Sequence, residues 1–100
     1  MRWQEGDRVG AVCGETATAV RFFGYGTYQG RHVPPAGVDI RGVDLHALGV
    51  KTAQIRLDNG DTVWGCQCWW GGEDAVRLYL ARVRKRVVPV RIADVLREAE

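Results

Sequence analysis

Apolar and polar positions alternate with a period near two over much of this chain, and the interruptions are mostly glycine and proline. "GDRVGAV" follows the turn-forming pair Gly6-Asp7 and predicts a first strand at about residues 7–12, with "CGE" as the turn after it. "TATAVRFF" (16–23), rich in β-branched and aromatic residues, predicts a second strand. In "GYGTYQG", Gly24 and Gly26 flank Tyr25, a pattern that predicts a bulge or sharp bend. Residues 30–49 form a long connection containing Pro34-Pro35 and one helical turn in "VDLHAL", with Gly49 suited to its C-terminal cap. Connections this long in small domains tend to be binding loops or lids.

The densest chemistry lies in "LDNGDTVWGCQCWW" (57–70). Asn59-Gly60 is a strong hairpin signal, and as a two-residue type I′ loop it sets Asp58 opposite Asp61. Leu57 then faces Thr62, Ile55 faces Trp64 and Ala53 faces Cys66. Alternation gathers Ala53, Ile55, Leu57, Thr62, Trp64, Cys66, Cys68 and Trp70 on one face, which reads as core. Val63, Gln67 and Trp69 fall on the wetter face. A loop such as Val33-Pro34-Pro35 folded over Trp69 would create a crevice there, the natural ligand pocket.

"EDAVRLYLARVRK" carries acids first and bases last, as a helix dipole favours, and Val76, Leu80 and Val83 can share one face. A strand remains the alternative for this segment. "RVVPVRI" (86–92) predicts a strand that Pro89 confines to a sheet edge or bulge, and "ADVLREAE" predicts a short closing helix. The whole reads as one domain over residues 1–100, mainly β. The expected architecture is a small five-stranded SH3-like or OB-like barrel with one long loop and one or two short helices.

Composition narrows this further. The chain is 46% hydrophobic and 26% charged, ordinary for a globular protein, and its apolar runs are too short to span a bilayer. "MRWQEGDRVG" has no apolar h-region or cleavage site, so a cytoplasmic location is expected. Three cysteines, an odd number, argue against a disulfide framework. Net charge is only +2, yet Arg77, Arg82, Arg84, Lys85, Arg86 and Arg91 follow one another with no acid between them. The local basic strip, not the total, is what changes the picture.

At "RLDNGDTVWGCQCWWG" (56–71), preceded by "GYGTYQGRHVPP" (24–35), the chain resembles small uncharacterised proteins of phage genomes and mobile gene cassettes, a group of SH3-like barrel type. The double-tryptophan hairpin is the most specific part. The resemblance implies a mobile-element context and brings no activity and no catalytic residues with it.

Each candidate feature has two readings. Cys66 and Cys68, with Cys13, His32 and His46 elsewhere, lack the spacing of a zinc site or a C-x-x-C redox motif and read as core thiols. Tyr25, Tyr28, Arg31 and His32 combine rings and cations able to stack a base and hold a phosphate, or else they form a barrel rim. Arg84, Lys85 and Arg86 either track a phosphate backbone or protect an exposed strand edge. No Ser-His-Asp order or carboxylate pair emerges, so neither an enzyme nor a cofactor or metal is expected.

The reading that follows is a non-enzymatic module for nucleic acid or a nucleotide-like ligand. Tyr25, Tyr28 and Trp69 would supply stacking, and Arg31, His32, Arg84, Lys85 and Arg86 charge and hydrogen bonds, with binding that falls steeply in salt. The alternative is a protein-interaction or homo-oligomeric adaptor or inhibitor.

Overall fold

A computed structural model describes residues 2–98. The strands are β1 (Arg8–Glu15), β2 (Ala19–His32), β3 (Asp39–Ile40), β4 (Val43–Asp44), β5 (Thr52–Leu57), β6 (Thr62–Trp64), β7 (Trp69–Gly72) and β8 (Arg86–Pro89). Helices α1 (Leu45–Leu48), α2 (Glu73–Arg82) and α3 (Ile92–Glu98) lie between and after them, and Gly65–Gln67 forms a 3-10 turn. The fold is mainly β. Its principal sheet runs β6-β5-β2-β1-β7 with β8 as a branch on β2, while β3 and β4 form a separate ribbon. That is six strands where five were expected. The hydrogen-bonded path is open, and among the described residues no ladder joins β6 to β7. The last two residues of the expected closing helix lie outside the described residues; the rest of it is α3.

β2 organises everything else. β1 covers one of its edges from Val20 to Thr27. On the other edge, Ala19–Phe22 pair with β8 in parallel, and Gly26–His32 pair with β5 antiparallel. One strand can serve two partners on one edge only if it bends between them, and the glycines sit at that place. Gly24 has φ +130°, and the β1 ladder shifts register beside it. Gly26 lies so close to β5 that an added Cβ would meet the backbone of Arg56 and Leu57. The predicted bend is therefore present, but it does not end the strand. The turn expected at "CGE" is strand instead. The reversal comes at residues 16–18, where the Thr16 hydroxyl accepts from the backbone N–H of Ala19.

The Asn59-Gly60 register is one residue out of step with the expectation. The ladder reads Arg56↔Thr62, Ile55↔Val63 and Gln54↔Trp64. Only Gly60 takes a positive φ, +94°, and its N–H donates to the Leu57 carbonyl. Leu57 N–H in turn donates to the Asp61 carbonyl. This is a type I turn closed by a left-handed glycine, a three-residue loop. The Asn59 side chain selects it by accepting from Asp61 N–H at 2.9 Å. The slip turns Val63 inward, 0% exposed, against Ile55. Trp64 is buried too, although it pairs with Gln54 on the other face. The expected Ala53–Cys66 pairing does not form, because β6 ends at Trp64 and Cys66 lies in the 3-10 turn.

Two cores flank the sheet. Val9, Ala11, Phe23, Tyr28, Ala53, Ile55, Leu57 and Val63 build the first, with Trp70 and α3 residues packed around it. Val12, Val20 and Val76 build the second beneath α2, joined by Leu80 and Val83 as the helical spacing predicts. α1 and its left-handed cap at Gly49 also form as predicted. No helix among the described residues is long and apolar enough to cross a membrane.

Asp58 and Asp61 do not face each other as an unrelieved like-charge pair. Arg8 grips Asp58 with two 2.7 Å bonds and reaches Glu73 at 3.3 Å, tying the hairpin to α2. Arg91 holds Asp61 at 2.7 Å. Hydrogen bonds from these guanidinium groups keep both carboxyls below their usual range. A carboxylate with a lowered folded pKa stabilises fully above its unfolded pKa of about 4, and that contribution fades as pH falls through the lower folded value. The melting temperature should therefore drop on acidification below about pH 4. Asp58→Asn and Asp61→Asn should flatten the drop in a pH series of thermal melts, modestly, because both pairs face solvent.

Candidate functional site

The N-terminal segment is drawn onto β2. Gly6 N–H donates to the Tyr28 carbonyl at 2.8 Å, and Tyr28 N–H donates to the Asp7 carbonyl at 2.9 Å. These bonds carry Trp3 over Tyr28 and Trp70. Tyr28 and Trp70 stack with centroids 5.5 Å apart and planes 13° from parallel, and Trp3 tilts against Trp70 at 5.1 Å. Gly65 makes room, since a Cβ there would lie 3.0 Å from Trp70 Nε1. Around these rings opens a cleft of about 410 Å³, lined also by Arg31, Thr52 and Cys66. That is within the range of small-ligand sites.

The polar groups of the cleft are few. Arg31 is exposed, and one guanidinium nitrogen donates to the Lys51 carbonyl at 3.1 Å, which leaves its other donors for solvent or a ligand. Burial pushes the Cys66 thiol up, and the negative charge of Asp39 adds to the effect. Asp39 belongs to β3 in the long 30–49 connection, which packs beside the 3-10 turn.

The predicted binding residues do not gather in one place. Tyr28 and Arg31 share the aromatic cleft. His32 is nearby in sequence, but its Nε2 is engaged with the Gln29 carbonyl at 2.8 Å. Tyr25 belongs to the second core, edge-on to Phe22 at 5.0 Å with the Arg77 guanidinium 4.8 Å above its ring. Trp69 turns away from the first core as predicted and is 55% exposed. The loop expected to cover it does not. Its neighbour is Tyr79 of α2 at 5.5 Å, and together with Val12, Cys13, Gly14 and Glu15 they line a smaller cleft of about 250 Å³. The expected crevice between residues 25–49 and Trp69 is thus replaced by two separate clefts.

The rim of the smaller cleft is already saturated. Tyr79 donates its hydroxyl proton to Glu15, and Lys85 Nζ lies 3.5 Å from the same carboxylate and 2.8 Å from the Thr16 carbonyl. The Tyr79 bond, with Lys85 adding to it, lowers the Glu15 pKa. Lys85 is therefore a structural cation. Arg86 lies exposed on β8, and Arg84 is exposed beside it with φ +55°. Both sit at the far end of β2 from Arg31: β8 pairs with residues 19–22, whereas the aromatic cleft begins at residue 28.

Trp3, Thr52 and Cys66 were not anticipated as lining residues, and Trp70 was expected only as core. Trp3 did carry a signal, since a large aromatic stood alone in the polar "MRWQEG" with no strand to bury it. Comparison with protein-family models, curated proteins and solved structures finds no match to the chain, so its own geometry carries the functional argument.

Proposed function

We propose that this protein is an SH3-like small barrel that acts by binding a single nucleotide unit, free or at the end of a single strand. Support for the barrel type comes from the strand path β6-β5-β2-β1-β7, with a 3-10 turn between the two outermost strands and a bent β2 shared by both halves. The observation that carries the ligand class is the aromatic cleft itself. Trp70, stacked on the buried Tyr28, and Trp3 against it offer indole surface to a base, while Arg31 at the same cleft offers a guanidinium to a phosphate. The basic strip at Arg84 and Arg86 is not part of this site. The mobile-element setting and a cytoplasmic location belong to the same reading.

Titration of intrinsic tryptophan fluorescence with nucleoside monophosphates and short single-stranded oligonucleotides tests it. Stacking should quench the emission. One guanidinium implies a shallow salt dependence, with a log–log slope of about −0.7 to −0.9 rather than the steep fall of a multi-phosphate track. Arg31→Ala should weaken binding about tenfold or more, the expected loss of a charge-assisted hydrogen bond. Absence of quenching at low salt would dismiss the proposal.

One observation favours an adaptor or oligomeric role instead. Val33, Val43, Leu48 and Val50 are all exposed along the 33–50 segment, Leu48 by 65%. Light scattering at rising protein concentration distinguishes this role: a salt-insensitive dimer broken by Leu48→Asp would favour it.

A further inference from the structure

Cys13 in β1 and Cys68, the residue before β7, lie next to the last pair of the β1–β7 ladder. The antiparallel ladder runs Val9↔Gly72, Gly10↔Gly71, Ala11↔Trp70 and Val12↔Trp69. The ladder ends there, with Cys13 and Cys68 the next residue on each side, at a point where β1 shifts register against β2 between Val12 and Gly14. Side-chain direction brings them to one side. Val9, Ala11 and Trp70 pack into the first core, Val12 into the second, and Cys13 and Cys68 both return to the first. Cys68 is extended, with φ −154° and ψ 166°, so it continues the alternation of β7. Opposed residues in an antiparallel pair have Cα atoms about 4.5 or 5.5 Å apart, depending on their hydrogen-bonding class, and a disulfide spans about 4.4–6.8 Å. One more pair of either class would fit. Burial raises the Cys68 thiol, and Cys66 and then Cys13 add to the effect.

Cys66 is differently placed. It sits in the 3-10 turn, off the strand register, against Thr52. All three cysteines are free thiols here, and no group of three His, Cys, Asp or Glu side chains among the described residues is arranged to hold a metal ion.

We propose that Cys13 and Cys68 form a reversible cross-strand disulfide that fastens β7, and with it the Trp70 wall of the aromatic cleft, to β1. A low-molecular-weight disulfide of the glutathione type is the oxidant. The half-buried Cys13, as thiolate, attacks one sulfur of that disulfide, forming a mixed disulfide and expelling one small thiolate. Cys68 then loses its proton to solvent and attacks the Cys13 sulfur, expelling the second. Two protein thiols are oxidised, and one small disulfide is reduced to two thiols. The second step is the slow one. Burial pushes the Cys68 thiol up to about 12, and its Sγ–H must leave the Trp64 carbonyl 3.5 Å away. The same burial shields the finished bond from reductants. The bond does not depend on the ligand assigned to the cleft.

The full chain, incubated with oxidised glutathione, alkylated with iodoacetamide and cut with trypsin without reduction, gives the test. The fragment of residues 9–21 should emerge covalently joined to the fragment of residues 57–77, with one alkylated cysteine left. Cys66→Ser should give the same joined fragments with none left over, which assigns the bond to Cys68. Oxidation should raise the melting temperature of both proteins by several degrees, reversibly on reduction, and leave that of Cys13→Ser unchanged. A Cys66–Cys68 or Cys13–Cys66 linkage, a chain-to-chain dimer, or a glutathione adduct persisting on Cys13 with Cys68 free would each overturn the proposal. Tandem fragmentation of the joined peptides from the natural chain should find the alkylated residue at Cys66, so poor folding of the variant does not leave the bond unassigned.

Discussion

Gly26→Ala should be the most damaging single-methyl change in the chain. Gly26 is buried in the middle of β2, paired with Val9 on one side and Leu57 on the other. An added Cβ would press on the Arg56 carbonyl oxygen and lie 2.7 Å from Leu57 Cα. These are backbone atoms, so no side-chain rotation relieves the clash, and β5 must separate from β2 where both serve the first core. Overpacking a well-filled core typically costs about 1–3 kcal/mol, and a clash with backbone belongs at or beyond the upper end. For a domain with roughly 5–15 kcal/mol in hand, that is a large share. Urea denaturation should show a midpoint lowered accordingly. Gly14→Ala is the control: an added Cβ there meets nothing within 4 Å, and the backbone is not left-handed, so its midpoint should barely move. Equal midpoints for the two variants would mean that β2 and β5 are not as close as described.

Trp70→Ala should damage stability and binding together. Its ring stacks on Tyr28, touches Trp3 and closes the base of the aromatic cleft. Truncating a large aromatic in a core costs about 3–5 kcal/mol, and because Trp70 is only half-buried the lower end applies. Loss of a stacking surface costs a further factor of about tenfold to a hundredfold in nucleotide affinity, the equivalent of 1–3 kcal/mol per base. Trp70→Phe separates the two roles, since it retains a ring against Tyr28 and should restore most of the stability and part of the affinity. Chemical denaturation and the fluorescence titration, with Trp3 as the remaining reporter in the cleft, read both quantities. A folded Trp70→Ala protein that binds as tightly as the natural chain would place the nucleotide elsewhere.

Local signals with a strong physical preference were legible in the sequence, although a strand stood open for "EDAVRLYLARVRK". The acid-to-base gradient and apolar spacing of "EDAVRLYLARVRK" became α2, Gly49 became the cap of α1, and the paired glycines became the bend of β2. Where two local outcomes lay close in energy, the sequence alone chose wrongly. Asn-Gly serves both the two-residue and the three-residue hairpin, and the Asn59 side chain, by accepting from Asp61, tipped the balance. A period of two then propagated that single step to Val63, and the strand was assumed to run on through a 3-10 turn.

The candidate site was legible only in part, because it is assembled by tertiary pairing. Tyr28 and Arg31 were found by residue type. Trp3 joins them through backbone bonds between residues 6–7 and 28, which no local pattern specifies. Trp69 was placed on the wetter face by alternation, but its partner there, Tyr79 of α2, and the separation of Tyr25 from Tyr28 across β2 depend on tertiary packing.

The placement of β8 has a consequence for how the chain reaches its native state. Ala19 pairs in parallel with Arg86, and Val9 with Gly72, so the ladders that complete the sheet join segments more than sixty residues apart. The β1–β2 and β5–β6 hairpins, each closed by a short turn, can form early from neighbouring residues. Contacts this distant in sequence slow the search for the folded form to the millisecond-to-second range typical of all-β domains. During synthesis, the Ala19–Phe22 edge of β2 must wait unpaired until β8 has been made, which leaves the nascent chain open to aberrant association through that edge in the interval.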